Sequence, residues 1–140
     1  MSEEIVLRGH PGIGPRVEGE ALVSREGFSA RYDLNRKTGV FSREAHDLYG
    51  HSIIGKVLVH TTAKGGVATA WALLDMRAQG TAPLGIIFSL ANPIMAQGAA
   101  LADVPLMDRL EPDPQTVIES GDWLIVDPPA GEVRVRKGGR

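Results

Sequence analysis

The chain has 140 residues, 43% of them hydrophobic, with 15 basic and 17 acidic residues and a net charge of −2. That suffices for one domain with a real core, and the near-neutral balance gives no reason to expect nucleic acid or an anionic membrane as partner. Cysteine is absent, so the chain itself can hold no disulfide, thiolate-bound zinc or cysteine-ligated iron–sulfur cluster.

Only 5% of residues are aromatic, while Gly (17) and Pro (9) are plentiful. Such a balance favours a turn-rich α/β or β fold over a helical bundle. No run approaches the roughly 20 apolar residues of a membrane span. The start, MSEEIVLRGH, has acids where a secretion signal carries bases, so cytoplasm is the expected location. Residues 1–15 are expected to be irregular, because Arg8 to Pro15 is crowded with Gly and Pro. A strand follows within Arg16–Ser24, and a second, or a strand edge, at Gly27–Asp33. Asn35 to Gly39 reads as a turn by composition. Glu44 to Gly50, containing His46 and Asp47, reads as a polar loop.

Gly55 to Met76 organises the chain. Val57-Leu58-Val59 is an apolar run of buried-strand type. Val67, Ala70, Trp71, Leu74 and Ala78 then fall on one face of a helix that stops near Gly80. Between them lies Thr61-Thr62-Ala63-Lys64-Gly65-Gly66. A strand turning into a helix aims backbone N–H groups and the positive end of the helix dipole at one point. The turn can hold a carboxylate or phosphate through Lys64, Gly65 and Gly66, or it is a tight βα turn whose lysine is merely solvated. The spacing is not that of a Walker phosphate loop.

Pro83 to Leu90 reads as another buried strand, so strand–helix–strand predicts a parallel crossover. Asn92-Pro93 is a helix start, cap residue followed by first-turn proline. Gly98 and Ala99 of that small-residue helix are expected to pack on the sheet. If both crossovers are parallel, two helix N-termini share one sheet edge, adding Asn92 to the anion-binding set. Val104 to Met107 is a short apolar edge, Glu111 to Pro114 a loop, and Trp123–Asp127 with Glu132–Arg136 a hairpin. Residues 137–140 are expected to fray. The inventory predicts a layered or barrel-like α/β domain with two main helices.

The four histidines show no pair at helical metal-site spacing. His46 beside Asp47 reads as an oriented acid/base or, more plainly, a surface loop pair. His60 ends the organising strand, where a core or rim histidine with satisfied hydrogen bonds is the simpler reading. Thr61, Thr62 and Thr69 are hydroxyls near the turn, able to donate to an oxyanion or simply to cap. Arg31, Arg36 and Arg43 are surface charges unless the fold gathers them on a carboxylate.

The order GEALVS, FSARYD, TG, H-DLYG-SI-GKVLV, KGG, APLGIIF, ANPIMAQGAALADVPLMD, SGDWLIVD and GEVRV, running from about Gly19 to Val135, resembles the small subunit, or swivelling domain, of aconitase X. That resemblance implies a swivelling β/β/α fold and a hydro-lyase made with a large, cysteine-bearing subunit that carries an iron–sulfur cluster. It also implies a hydroxy-acid substrate, phosphomevalonate in archaeal members or cis-3-hydroxy-L-proline in some bacterial ones. The family's turn reads basic–Gly–Ser, its serine being the proposed proton acceptor. Lys64 and Gly65 match, but Gly66 stands at the serine position. Either Thr62 or Thr69 substitutes, the base comes from the large subunit, or the reaction differs; Gly66 also leaves open a rival reading, a non-catalytic docking module. A self-sufficient enzyme is the weakest reading, because no nucleophile–base–orienter set is visible.

Overall fold

The computed structural model describes residues 4–28, 33–63 and 67–139, with backbone alone for residues 67–69. In chain order the elements are β1 (Glu4–Arg8), β2 (Val17–Val23), β3 (Leu34–Asn35), β4 (Val40–Phe41), β5 (Lys56–Thr62), α1 (Val67–Gln79), β6 (Gly85–Leu90), α2 (Pro93–Leu101), β7 (Leu106–Met107), α3 (Pro114–Val117), β8 (Trp123–Asp127) and β9 (Glu132–Arg136). Seven strands form one sheet in the order β1-β9-β8-β2-β5-β6-β7, and β3 pairs with β4 separately. From β1 to β2 the neighbours run antiparallel, and from β2 through β5 and β6 to β7 they run parallel. The parallel crossover predicted around α1 is present, and a second surrounds α2.

The N-terminal segment is not irregular. Residues 4–8 form the edge strand β1 against β9, because Leu7 is fully buried and its neighbours pair with the hairpin. The chain then bridges the sheet's two edges. Arg8 exchanges hydrogen bonds of 3.0 and 2.8 Å with Glu111, and Ile13 exchanges 2.9 and 3.0 Å bonds with Leu106. These contacts satisfy edge groups that would otherwise invite another strand and give the sheet a barrel-like closure.

Side-chain alternation separates two cores. Ala21, Val57, Val59, Ile87 and Met107 join Leu124, Val126, Val133 and Val135 inside the closure. Leu22, Leu58, Ile86, Phe88 and Leu106 face the other way, where α1, α2 and the β3–β4 hairpin cover them. Strand β5 is therefore buried on both faces, which is why it reads as an unbroken apolar run.

Three readings of elements need correction. The buried face of α1 is Ala72, Leu73 and Met76, while Trp71 is exposed; one helix can carry two apolar stripes, and periodicity alone does not say which meets the core. Gly98 packs against Ala70 of α1, not on the sheet. The C-terminal tail is anchored through Lys137, whose Nζ donates to Asp122 Oδ2 (2.6 Å) and the Val117 carbonyl (2.6 Å), while the Gly138 N–H donates to Asp122 Oδ1 (3.0 Å). Of the strand expected at Gly27–Asp33, a single bridge from Phe28 to Ala63 is described, and residues 29–32 lie outside the described set. The two main helices are as expected; α3 is one additional turn. Among the described residues no helix is long and apolar enough to cross a membrane.

Candidate functional site at the carboxyl edge

Because β2, β5, β6 and β7 are mutually parallel, their carboxyl ends share one edge of the sheet. In open α/β sheets such an edge is where ligands bind. Four chain segments leave it: Ser24–Phe28 after β2, Thr62–Ala63 after β5, Ala91–Asn92 after β6, and Asp108–Arg109 after β7. The first leads to Arg31 and the second to Lys64, Gly65 and Gly66; all four of these candidates lie outside the described residues, as does the Thr69 side chain. Their described neighbours are tied together, the Phe28 N–H donating to the Thr62 carbonyl at 2.9 Å.

Thr62 is exposed at the last position of β5, opposite Leu90 of β6. Asn92 caps α2 as predicted: its Oδ1 accepts from the Met95 N–H at 2.7 Å, leaving a helix start on this edge beside that of α1. Next to it Asp108 Oδ2 accepts from the Ala91 N–H at 3.0 Å and lies 3.6 Å from the Arg109 guanidinium. Asn92, Pro93, Asp108 and Arg109 line one shallow pocket with Pro11 and Ile13. Arg109 was not among the sequence candidates, since nothing local distinguishes it from other surface arginines.

A buried polar network supports the segment after β2. His46 is buried, not a surface pair. Its Nδ1 accepts from the Leu48 N–H (3.1 Å) and its Nε2 lies 3.3 Å from the Gly27 carbonyl, which requires the proton on Nε2. Asp47 Oδ1 accepts from the Ser24 hydroxyl (2.7 Å) and Oδ2 from the Arg25 N–H (2.8 Å), while Glu26 accepts from the Asp47 N–H (2.6 Å). Burial pushes the Asp47 carboxyl up, but the Ser24 hydroxyl and Arg25 amide outweigh it and hold the group below the ordinary range. Arg43 joins the network, its Nε donating to the buried Asp33 at 2.7 Å; Arg31 and Arg36 are not described with it, Arg36 pairing instead with Asp75. From α3, Gln115 Nε2 donates to the Ser24 carbonyl at 2.8 Å.

Glu26, His46 and Asp47 place ligand-capable atoms within 4.8 Å of one another, a grouping that sequence spacing concealed. Each is engaged within the chain by the hydrogen bonds above or by the Arg43 ion pair, so the cluster reads as a structural lock.

His60 is fully buried among Phe28, Phe41 and Phe88, its ring centroid 4.8 Å from that of Phe28. Its Nδ1 lies 3.2 Å from the Glu26 carbonyl, so Nδ1 carries the proton. Contrary to the expectation of a satisfied core histidine, Nε2 has no partner among the described residues. Burial pushes the ring's pKa down to about 3, and nearby His46 adds to the effect. His60 is thus a neutral aromatic spacer beneath the edge.

The mixed sheet, the two main helices on one face and the parallel carboxyl edge define a swivelling β/β/α domain. A family model described as the aconitase X swivel domain matches residues 6–135, and the chain belongs to that family. It is 34% identical over 129 residues to the phosphomevalonate dehydratase small subunit of Methanocella arvoryzae, covering 92% of this chain and 98% of that one. It is 37% identical over 133 residues to the corresponding subunit of Methanosarcina acetivorans, covering 95% and 92%. The crystal structure of Thermococcus kodakaraensis aconitase X in its holo-form matches with a TM-score of 0.87 at 30% identity, covering 94% of this chain and 98% of that chain.

Proposed function

We propose that this chain is the small subunit of a two-chain aconitase X-type hydro-lyase, working in the cytoplasm on a small hydroxy carboxylate. The observation that carries the reading is end-to-end similarity to proteins named as small subunits, with 98% of the Methanocella arvoryzae chain covered. A phosphorylated hydroxy acid of the phosphomevalonate type is the first substrate to test. The hydroxyproline substrate of other family members is the second.

A cysteine-held iron–sulfur cluster does not fit this chain, which offers no thiolate. Such a group belongs to the large subunit. What the chain itself supplies is the carboxyl edge. Lys64, with the Gly65 and Gly66 amides, holds an anionic group of the substrate near two helix starts. The hydroxyl of Thr62 or Thr69 stands in for the family serine, or the proton acceptor is the partner's. The Glu26–His46–Asp47 lock keeps the segment after β2 in place at that edge.

The test is reconstitution. Each subunit alone and the mixture are assayed for dehydration of phosphomevalonate and of cis-3-hydroxy-L-proline, and turnover is expected from the mixture alone. Turnover by this chain alone would overturn the two-chain reading. Gly66 favours a second reading, a docking module: stable assembly with full turnover by the large subunit alone would select it.

A further inference from the structure

Arg109 follows β7 on the same carboxyl edge as the segments after β5 and β6. Its backbone is held from both sides. The Arg109 N–H donates to the Ser89 carbonyl of β6 at 3.2 Å. Opposite, Gly9 comes so near that an added Cβ would fall 2.8 Å from the Arg109 carbonyl oxygen. The φ of Arg109, 56°, lies in the left-handed region, which a non-glycine residue adopts at a cost and which recurs at binding sites. Its side chain lines an open pocket of about 230 Å³ with Pro11, Ile13, Asn92, Pro93 and Asp108. Among the described residues it is the one cation on that pocket. Arg25, Arg36 and Arg43 are engaged by Gln115, Asp75 and Asp33. The Arg109 guanidinium, 62% exposed, makes no hydrogen bond among the described residues: Asp108 Oδ2 stands 3.6 Å from its Nε and is taken by the Ala91 N–H.

We propose that Arg109 is a specificity-determining residue that receives the phosphoryl group of a phosphorylated hydroxy acid; the assignment rests on the hydro-lyase reading above. A guanidinium presents a planar fork that matches two phosphate oxygens at once. The Asn92-capped start of α2 lies on the same pocket, and its positive end offsets the Asp108 charge. Spacing along the edge supports the assignment. With β6 between them, the ends of β5 and β7 stand two strand spacings apart, roughly 10 Å. The segment after β5 leads to Lys64, so the edge carries two cations rather than one. A hydroxy acid with a carboxylate at one end and a phosphate at the other engages both. A substrate with a single anionic group leaves Arg109 without a partner. Arg109 thereby sorts phosphorylated from unphosphorylated acids by the binding that the second kind forgoes.

The test compares phosphomevalonate with mevalonate, the same acid without its phosphate, the latter read as substrate or as competitive inhibitor. The reconstituted pair carries the wild-type chain, Arg109→Ala or Arg109→Lys, and assembly of each is measured first by sedimentation. Arg109→Ala should weaken phosphomevalonate by about ten- to a hundredfold and mevalonate hardly at all, so the preference falls by that factor. Arg109→Lys should recover part of the preference, since it keeps the charge without the fork. A merely structural defect would weaken both acids alike. An unchanged preference in Arg109→Ala would overturn this assignment and leave the two-chain reading standing. A wild-type pair that dehydrates cis-3-hydroxy-L-proline but not phosphomevalonate would do the same. Loss of assembly in both variants would make Arg109 an interface residue and overturn the assignment. A wild-type pair inactive on both substrates would remove the hydro-lyase reading and this assignment together.

Discussion

Gly98 of α2 lies so close to Ala70 of α1 that a Cβ added to the glycine would fall 2.6 Å from the Ala70 Cβ and 2.8 Å from its Cα. Two effects of Gly98→Ala then oppose each other. Alanine gains about 1 kcal/mol of helix propensity, but a contact that short on backbone forces the helices apart, at roughly 1–3 kcal/mol. Overpacking should win. Thermal melting should show Gly98→Ala below wild type and Gly98→Leu lower still; an unchanged or raised Tm for Gly98→Ala would mean that the helices separate freely.

Stability should fall in mild acid because of His60. Its folded pKa of about 3 lies below the ordinary 6.5, so the unfolded chain binds the extra proton. The contribution is complete above 6.5 and is lost as pH falls toward 3. From pH 7 to pH 5 the loss from this group is about 2 kcal/mol. Urea unfolding across that range measures it. The His60→Leu variant should give a flatter profile whatever its stability at pH 7, and an identical slope would assign the acid sensitivity elsewhere.

Asp122 ties the C-terminus to the turn before β8. Its carboxylate accepts from Lys137, Gly138 and the Glu119 N–H. Burial pushes its pKa up, yet these donors hold it below the usual value. Its contribution is therefore present above the ordinary carboxylate range and is lost as pH falls through the lowered folded value. Asp122→Ala strands these donors and should cost roughly 1–3 kcal/mol, read by urea titration at pH 7, with faster hydrogen exchange in residues 137–139. Unaltered exchange there would mean that the tail is held by other contacts.

In the reconstituted pair, Lys64→Ala should raise KM by about one to two powers of ten. A charge-assisted hydrogen bond to an anion contributes roughly 1.5–3 kcal/mol. Complex formation is checked first, because a docking defect imitates a catalytic one. Normal kinetics would leave the turn as structural.

Replacing Thr62 or Thr69 by valine asks about proton transfer. Loss of a base lowers kcat and kcat/KM together, with little change in substrate binding. If both variants turn over like wild type, the base is the large subunit's.

Local order was legible in the residues themselves. The Val57–Val59 run, the Asn92-Pro93 start and the two crossovers were readable because strand burial, capping and chain reversal act within a few residues. Their parallel order put the carboxyl ends of β5 and β6, with Thr62 and Asn92, on one edge. Tertiary structure decided what depends on distant partners. β1 is a strand because β9 lies beside it, and Lys137 is anchored because Asp122 folds back near it. His46 is buried because the segment after β2 packs over the Glu44–Gly50 loop, joining groups about twenty positions apart. Which stripe of α1 met the core was likewise outside the helix's own periodicity. Leu73 and Met76 won that place because α1 docks on β5 and β6 with α2 alongside, leaving Trp71 outside.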